Sequence, residues 1–469
     1  MKTKGTLSLV ILFCLGGAAI AGLPEQADPK RLETWVADLS APSMGGRLTG
    51  SPSGKAAEAY VEDAMRATGL EVRTQEVRFP LWEVLPGASL TLLGQGDAKP
   101  HAYAYLDEYR EVDYSGSGDV TGDLVFAGFG LQTATVDSYA GVDVKGKVAV
   151  ILSGKPEGVE AEDARVDRKL DTASRKGAAA VVFIPQGKMG ERVEEKGDEA
   201  EVQATDLKRD FHPELYHADL PAVFLRRKAA ETLLGMAPEA AARAPAARAL
   251  GKRVHLVLQS RLCREAVSRN VFGILRGSDP ALAEEVILVG AHYDHLGAGA
   301  DGRIFFGAAD NASGTAVVLE AATAFARSGV KPKRTLVFAL WCAEEQGLYG
   351  STHYVTKEPL FPLARTRMMI QLDYLDDQYG PCISNPDDNP VFVSFVGKAF
   401  EEKKLIPLKL GGQCASDDCP FLAAKVPAYR FIAYGDHHHR STDTAENLSL
   451  TMLKNTADLV VAGLRNAAY

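Results

Sequence analysis

Beyond its first two dozen residues the sequence has no apolar run long enough to cross a bilayer, so no span is expected after that point. Basic residues are in deficit, 52 Lys and Arg against 61 Asp and Glu, for a net charge of −9. The positive footprint of a phosphate-backbone binder is missing, and no RNA- or DNA-binding motif is present, so nucleic acid is set aside as a partner. Cysteine is scarce, with 6 in the whole chain. The one close pair, Cys414 and Cys419 in "GGQCASDDCPF", has no second thiol pair nearby, which argues against a thiolate zinc site and for a local disulfide. Cys342 lies within an apolar run and reads as a small buried hydrophobe. No segment repeats.

What remains is an ordinary globular composition, 46% apolar and 24% charged, in 469 residues. That length accommodates two or three domains and a core deep enough to hold a buried site. The opening "MKTKGTLSLVILFCLGGAAIAG" places Lys2 and Lys4 before an apolar stretch, and "AIA" at 19–21 fits a small-residue cleavage site before Gly22. This pattern predicts a secretory signal peptide over residues 1–21 and an exported protein, secreted or periplasmic and without a membrane segment after cleavage. A lipoprotein reading through Cys14 is disfavoured by bulky Phe13. Cleavage would move the net charge from −9 to −11, because two lysines and no acids leave.

Residues 51–69 have helical spacing, stop at Gly69 and give way to a strand. Between about 90 and 250 short strands alternate with Gly-rich turns around one helix near 164–177, and the charge run at 191–201 reads as a solvated loop. The Ala-rich, Pro-punctuated stretch 235–252 reads as a domain edge or an exposed helix. From about 268 buried strands alternate with helices, which predicts an α/β fold with a largely parallel or mixed central sheet covered on both faces.

Each of four strands in this last region ends on residues able to bind a metal. "GAHYDHLG" supplies His292, "WCAEEQG" supplies Glu344 and Glu345, "QLDYL" supplies Asp373, and "DHHHRSTDT" supplies His437–His439. Asp310, in "GAADNASG", precedes a helix start. Ligands of open α/β sheets bind at the carboxyl ends of strands, so these side chains are placed to converge. Buried charges without partners are costly, so five such positions are hard to explain by packing alone. Two imidazoles and three carboxylates suit two zinc ions if one carboxylate bridges them. One member of the Glu344–Glu345 pair is then a ligand, and the other is left to act as a general base.

These motifs, in this order, resemble the co-catalytic dizinc aminopeptidases of the family that also contains the glutamate carboxypeptidases. The resemblance covers essentially 30–90 and 255–469, and implies a discontinuous zinc peptidase domain, 22–90 and 255–469, of the zinc exopeptidase fold. The stretch 91–254, with "FAGFG", "YAGVDVKGKVAVI" and "KGAAAVVFI", resembles an inserted β-rich protease-associated (PA) domain. The resemblance implies His292, Asp310 and Asp373 on one Zn2+, with Asp310 bridging to a second Zn2+ completed by Glu345 and His439. It implies Glu344 as catalytic base, Asp294 as a hydrogen-bond partner of the His292 ring, and a cis peptide after Asp310. His439 is chosen over His437 and His438 because the motif sets the ligand four residues before Asp443. Asp373 is chosen over Asp376 and Asp377, and the residues passed over are expected at the surface.

The chain departs from the family pattern at two places. His438 stands where many members carry a tyrosine that stabilises the oxyanion, and is a candidate for that role. "SDDC" stands where Ser-Asp-His is common, beside the substrate pocket. The expected activity is hydrolysis of the N-terminal residue from peptides with a free N-terminus. A carboxypeptidase of the same family is the enzymatic alternative. Members of that type add a helical dimerisation domain, whereas 26 residues follow Asp443 here. Glutaminyl cyclases share the sheet but generally use one zinc, and a non-catalytic PA-domain binding protein would be expected to have lost the ligands.

Overall fold

The computed structural model describes residues 22–469 except 95, 98, 114, 187–215, 377–381, 398–405, 409–413 and 434. The leader, the charge run at 191–201 and Asp377 lie outside the described residues. Among the described residues, fourteen strands form one mixed sheet. In chain order they are β1 (Glu71–Leu92), β2 (His101–Tyr103), β3 (Tyr109–Glu111), β4 (Gly118–Phe126), β5 (Val148–Leu152), β6 (Ala180–Ile184) and β7 (Ala222–Leu225). These are followed by β8 (Arg248–Leu275), β9 (Val286–His292), β10 (Thr335–Trp341), β11 (Thr366–Leu375), β12 (Cys382–Ser384), β13 (Ile406–Leu408) and β14 (Ala428–Ala433). The order is β13-β12-β14-β11-β9-β10-β8-β4-β5-β6-β7-β3, with β1 paired to β2 and β8.

β14, β11, β9 and β10 run parallel, so their carboxyl ends share one edge. Every residue of β9 and β10 is buried, as strands covered on both faces require. Helix α1 (Pro29–Leu39) packs on this region, and α2 (Pro52–Ala67) is capped by Ser51 before Pro52, its side chain accepting from the amide of Gly54. β1 and β8 form an antiparallel ribbon whose register runs from Glu71 opposite Ile274 to Leu92 opposite Val254. Beyond it, β4–β7 with helix α3 (Val166–Arg175) enclose separate apolar clusters. The expected limits of the inserted region, 90/91 and 254/255, fall inside β1 and β8, close to facing one another across this ladder. No described helix is long and apolar enough to cross a membrane.

Candidate metal centre

The shared strand edge gathers the acids and imidazoles. His292 is the last residue of β9, Asp373 lies near the end of β11, and Glu344–Glu345 follow β10 across a sharp turn. Ala343, Tyr374 and His439 all hold left-handed backbone, with φ of 52°, 50° and 55°. Non-glycine residues persist there only when their surroundings dictate it, and such positions collect at functional sites. The peptide between Asp310 and Asn311 is cis, as the resemblance implies.

Asp310 is the centre of the cluster, with its two oxygens facing different partners. Oδ1 lies 3.3 Å from His292 Nε2, which is 3.2 Å from Asp373 Oδ1. Oδ2 lies 3.1 Å from His439 Nε2, which is 3.4 Å from Glu345 Oε1. Asp443 braces the turn from behind, its carboxylate accepting the amides of Ala309 at 2.7 Å and Asp310 at 3.0 Å. Asp294 accepts both amides of the glutamate pair, Glu344 and Glu345, at 3.2 Å each. Its Oδ1 stands 3.6 Å from His292 Nδ1, while its carbonyl oxygen is 3.3 Å from the same nitrogen. The carbonyl can only accept, so Nδ1 donates to it, while Nε2 faces the carboxylates of Asp310 and Asp373.

The two glutamates diverge. Glu345 is buried with its carboxylate toward His295 and His439, and Glu344 is half-buried, close enough to His292 to influence its titration. Among the described residues, three sets of ligand atoms gather within 4.8 Å: His292 with Asp310 and Asp373, His295 with Asp310 and Glu345, and Asp310 with His438 and His439. Donors limited to imidazole and carboxylate, all but the exposed His438 largely buried and arranged about one shared aspartate, fit zinc.

Burial disfavours charged imidazoles, but Glu345 and hydrogen bonds to Asp310 and Glu345 overcome it at His439, whose pKa is pushed up to about 10. His292 is raised as well, with Glu344 and Asp373 outweighing its burial. Asp310 is held well below the ordinary carboxylate range by His292 and His439, against burial and the neighbouring Glu345. His439 thus binds its proton more tightly folded than unfolded, where 6.5 is its ordinary value. That stabilisation is complete below about pH 6.5 and is lost as pH rises through about 10. The metal-free protein is expected to weaken across this window by a few kcal/mol, read as a falling Tm in chelator. Zinc-loaded protein should hold its Tm over the same range, and parallel curves for the two forms would refute the coupling.

His295 was not legible as a site residue in the sequence, although it stands three positions after His292. It is fully buried, with Nδ1 3.0 Å from Glu345 Oε1 and 3.9 Å from Asp310 Oδ2. His438 lies 3.4 Å from Asp310 Oδ2, stacks on His439 at 3.9 Å and meets the edge of Tyr374 at 4.8 Å. His437 turns away to Thr442. The expectation of a surface position fails for Asp376, which is buried, accepts from Tyr374 Oη at 3.3 Å and packs against Gly435. Cys414 and Cys419 form the expected disulfide. Their loop buries Asp417, which accepts from Gln371 Nε2 at 3.0 Å, and Asp418, which faces Arg430 at 3.5 Å.

Residues 270–464 match peptidase family M28, and residues 120–233 match the PA domain. The chain carries an M28 peptidase domain with a PA domain inserted. The aminopeptidase YwaD of Bacillus subtilis is 25% identical over 444 residues, covering 91% of this chain and 82% of its own. A probable glutamate carboxypeptidase of Zea mays, VP8, is 28% identical over 400 residues, covering 74% of this chain and 53% of its own. The chain spans about half the length of the first curated relatives it matches. Among solved structures, an aminopeptidase from Aneurinibacillus sp. strain AM-1 superposes with a TM-score of 0.64, 24% identity and 95% coverage of both chains. The M28 domain contains the whole cluster from His292 to His439, and the PA domain lies within the insertion between β1 and β8.

Proposed function

We propose that this chain is an exported dizinc aminopeptidase that removes the N-terminal residue of peptides. The peptidase domain would comprise 22–90 and 255–469, and the insertion 91–254. The observation that carries the reading is Asp310, with one carboxylate oxygen in each of two imidazole–carboxylate sets. His292, Asp310 and Asp373 would hold one zinc, and Asp310, Glu345 and His439 the other. Zinc, when bound, supplies a Lewis acid that lowers the pKa of water and polarises the scissile carbonyl.

The chain supplies the rest. Glu344, half-buried and near His292, takes a proton as water attacks the carbonyl carbon. The C–O bond forms, the C–N bond breaks, and Glu344 returns that proton to the leaving amine. His438, stacked on His439, would donate to the developing oxyanion. The free amine of a substrate meets carboxylates here. Two nearby guanidinium groups are engaged elsewhere, Arg47 on main-chain carbonyls and Arg430 at Asp418, which favours amine over carboxylate recognition. The length match to the Bacillus aminopeptidase supports the same choice.

The test compares leucine p-nitroanilide, its N-acetyl form and an N-blocked dipeptide with a free C-terminus, each with and without a zinc chelator. Chelator-sensitive cleavage of the free-amine substrate alone is the expected result. Cleavage of only the blocked dipeptide would make the protein a carboxypeptidase.

A further inference from the structure

The segment "GGRLTGS" carries Arg47, fully buried and with left-handed backbone at φ 54°. A guanidinium has five N–H donors, and all five here have main-chain carbonyl partners. Nε donates to Tyr293 at 2.8 Å, and Nη1 to Leu39 and Phe306 at 2.7 Å each. Nη2 donates to Gly307 at 2.8 Å and to Asp310 at 3.5 Å. The backbone around it is tied to the same loop, because the amide of His295 donates to Arg47 O at 3.3 Å and that of Gly297 to Gly46 O at 2.8 Å. A side chain at Gly46 would collide with the carbonyls of Gly297 and Phe305.

Tyr293 lies between His292 and Asp294, and Gly307 begins the turn that presents Asp310. One side chain therefore holds both backbone segments that meet at the shared aspartate. Its charge also faces Asp443, Asp310, Asp294 and Glu345, which repel one another when no metal is present. We propose that Arg47 is the positioning residue of the metal centre, fixing the His292–His295 and Gly307–Asp310 backbones so that the ligand cage exists before metal enters. The proposal rests on reading this cluster as a metal site. Lysine would keep the charge but bring three donors without the planar fork, so it should not restore the function.

The experiment uses full-length Arg47→Lys and Arg47→Met, with cobalt and zinc as probes. Metal affinity is measured by chelator competition and cobalt absorption, and amide exchange is followed in metal-free protein. For Arg47→Lys we expect metal affinity to drop at least about 10-fold, as when a ligand loses its support. Exchange should accelerate at least about 10-fold at 293–297 and 307–312 while the insertion keeps its protection. The kcat should fall more than KM changes. Wild-type affinity with unchanged exchange would overturn the proposal, as would acceleration spread evenly over both regions, the sign of general packing. Should Arg47→Met fail to fold, Arg47→Lys decides. If the wild type binds neither metal, the metal-centre reading falls, and local exchange still decides whether Arg47 fixes these segments.

Discussion

Glu344→Ala protein should retain its zinc and lose turnover by about 100- to 10,000-fold, the contribution of a positioned general base. The expectation follows from the divergence of two adjacent carboxylates. Glu345 faces His295 and His439 from a buried position, whereas Glu344 is half-buried on the His292 side. Both backbone amides are held by the single carboxylate of Asp294, so truncating the Glu344 side chain should leave Glu345 in place. Metal analysis beside single-turnover kinetics separates the two roles. A metal-replete Glu344→Ala enzyme with normal kcat would remove Glu344 from the mechanism, and loss of zinc would make it a ligand.

Asp310→Asn should be more damaging. The carboxylate is shared, with one oxygen toward His292 and the other toward His439, and an amide offers only one oxygen to serve both. Both metals should become easier to strip, by more than the roughly 10- to 100-fold that follows loss of a supporting hydrogen bond. Activity should fall with them. The backbone brace from Asp443 to Ala309 and Asp310 does not involve this side chain, so the turn should survive and the far-ultraviolet spectrum stay unchanged. Zinc content equal to wild type after dialysis against chelator would contradict the bridging role.

The parallel strands and the residues at their ends were legible because both signals are local. An apolar run closing on His, Asp or Glu can be read within ten residues, and the strand-end rule supplies the convergence. Arg47 was not legible because its meaning lies in carbonyls up to 263 residues away, and a main-chain acceptor leaves no mark in the sequence. His295 was missed because a second histidine beside a candidate ligand is locally indistinguishable from a packed one. Asp376 was misplaced because burial of a carboxylate after a strand depends on Tyr374 and Gly435 closing over it. The long β1–β8 ladder is not legible in the sequence because antiparallel pairing over such a separation carries no short-range signal.

That ladder bears on how force would travel through the molecule. A flexible tether lets two lobes reorient by rotating a few backbone bonds, and it transmits almost no torque. Here the chain enters and leaves the insertion along two hydrogen-bonded strands, and β8 is paired with β10 toward the metal centre and with β4 away from it. A tilt of the insertion would therefore have to distort a ladder that runs without a break from β4 through β8 and β10 to β9, instead of turning about a single linker.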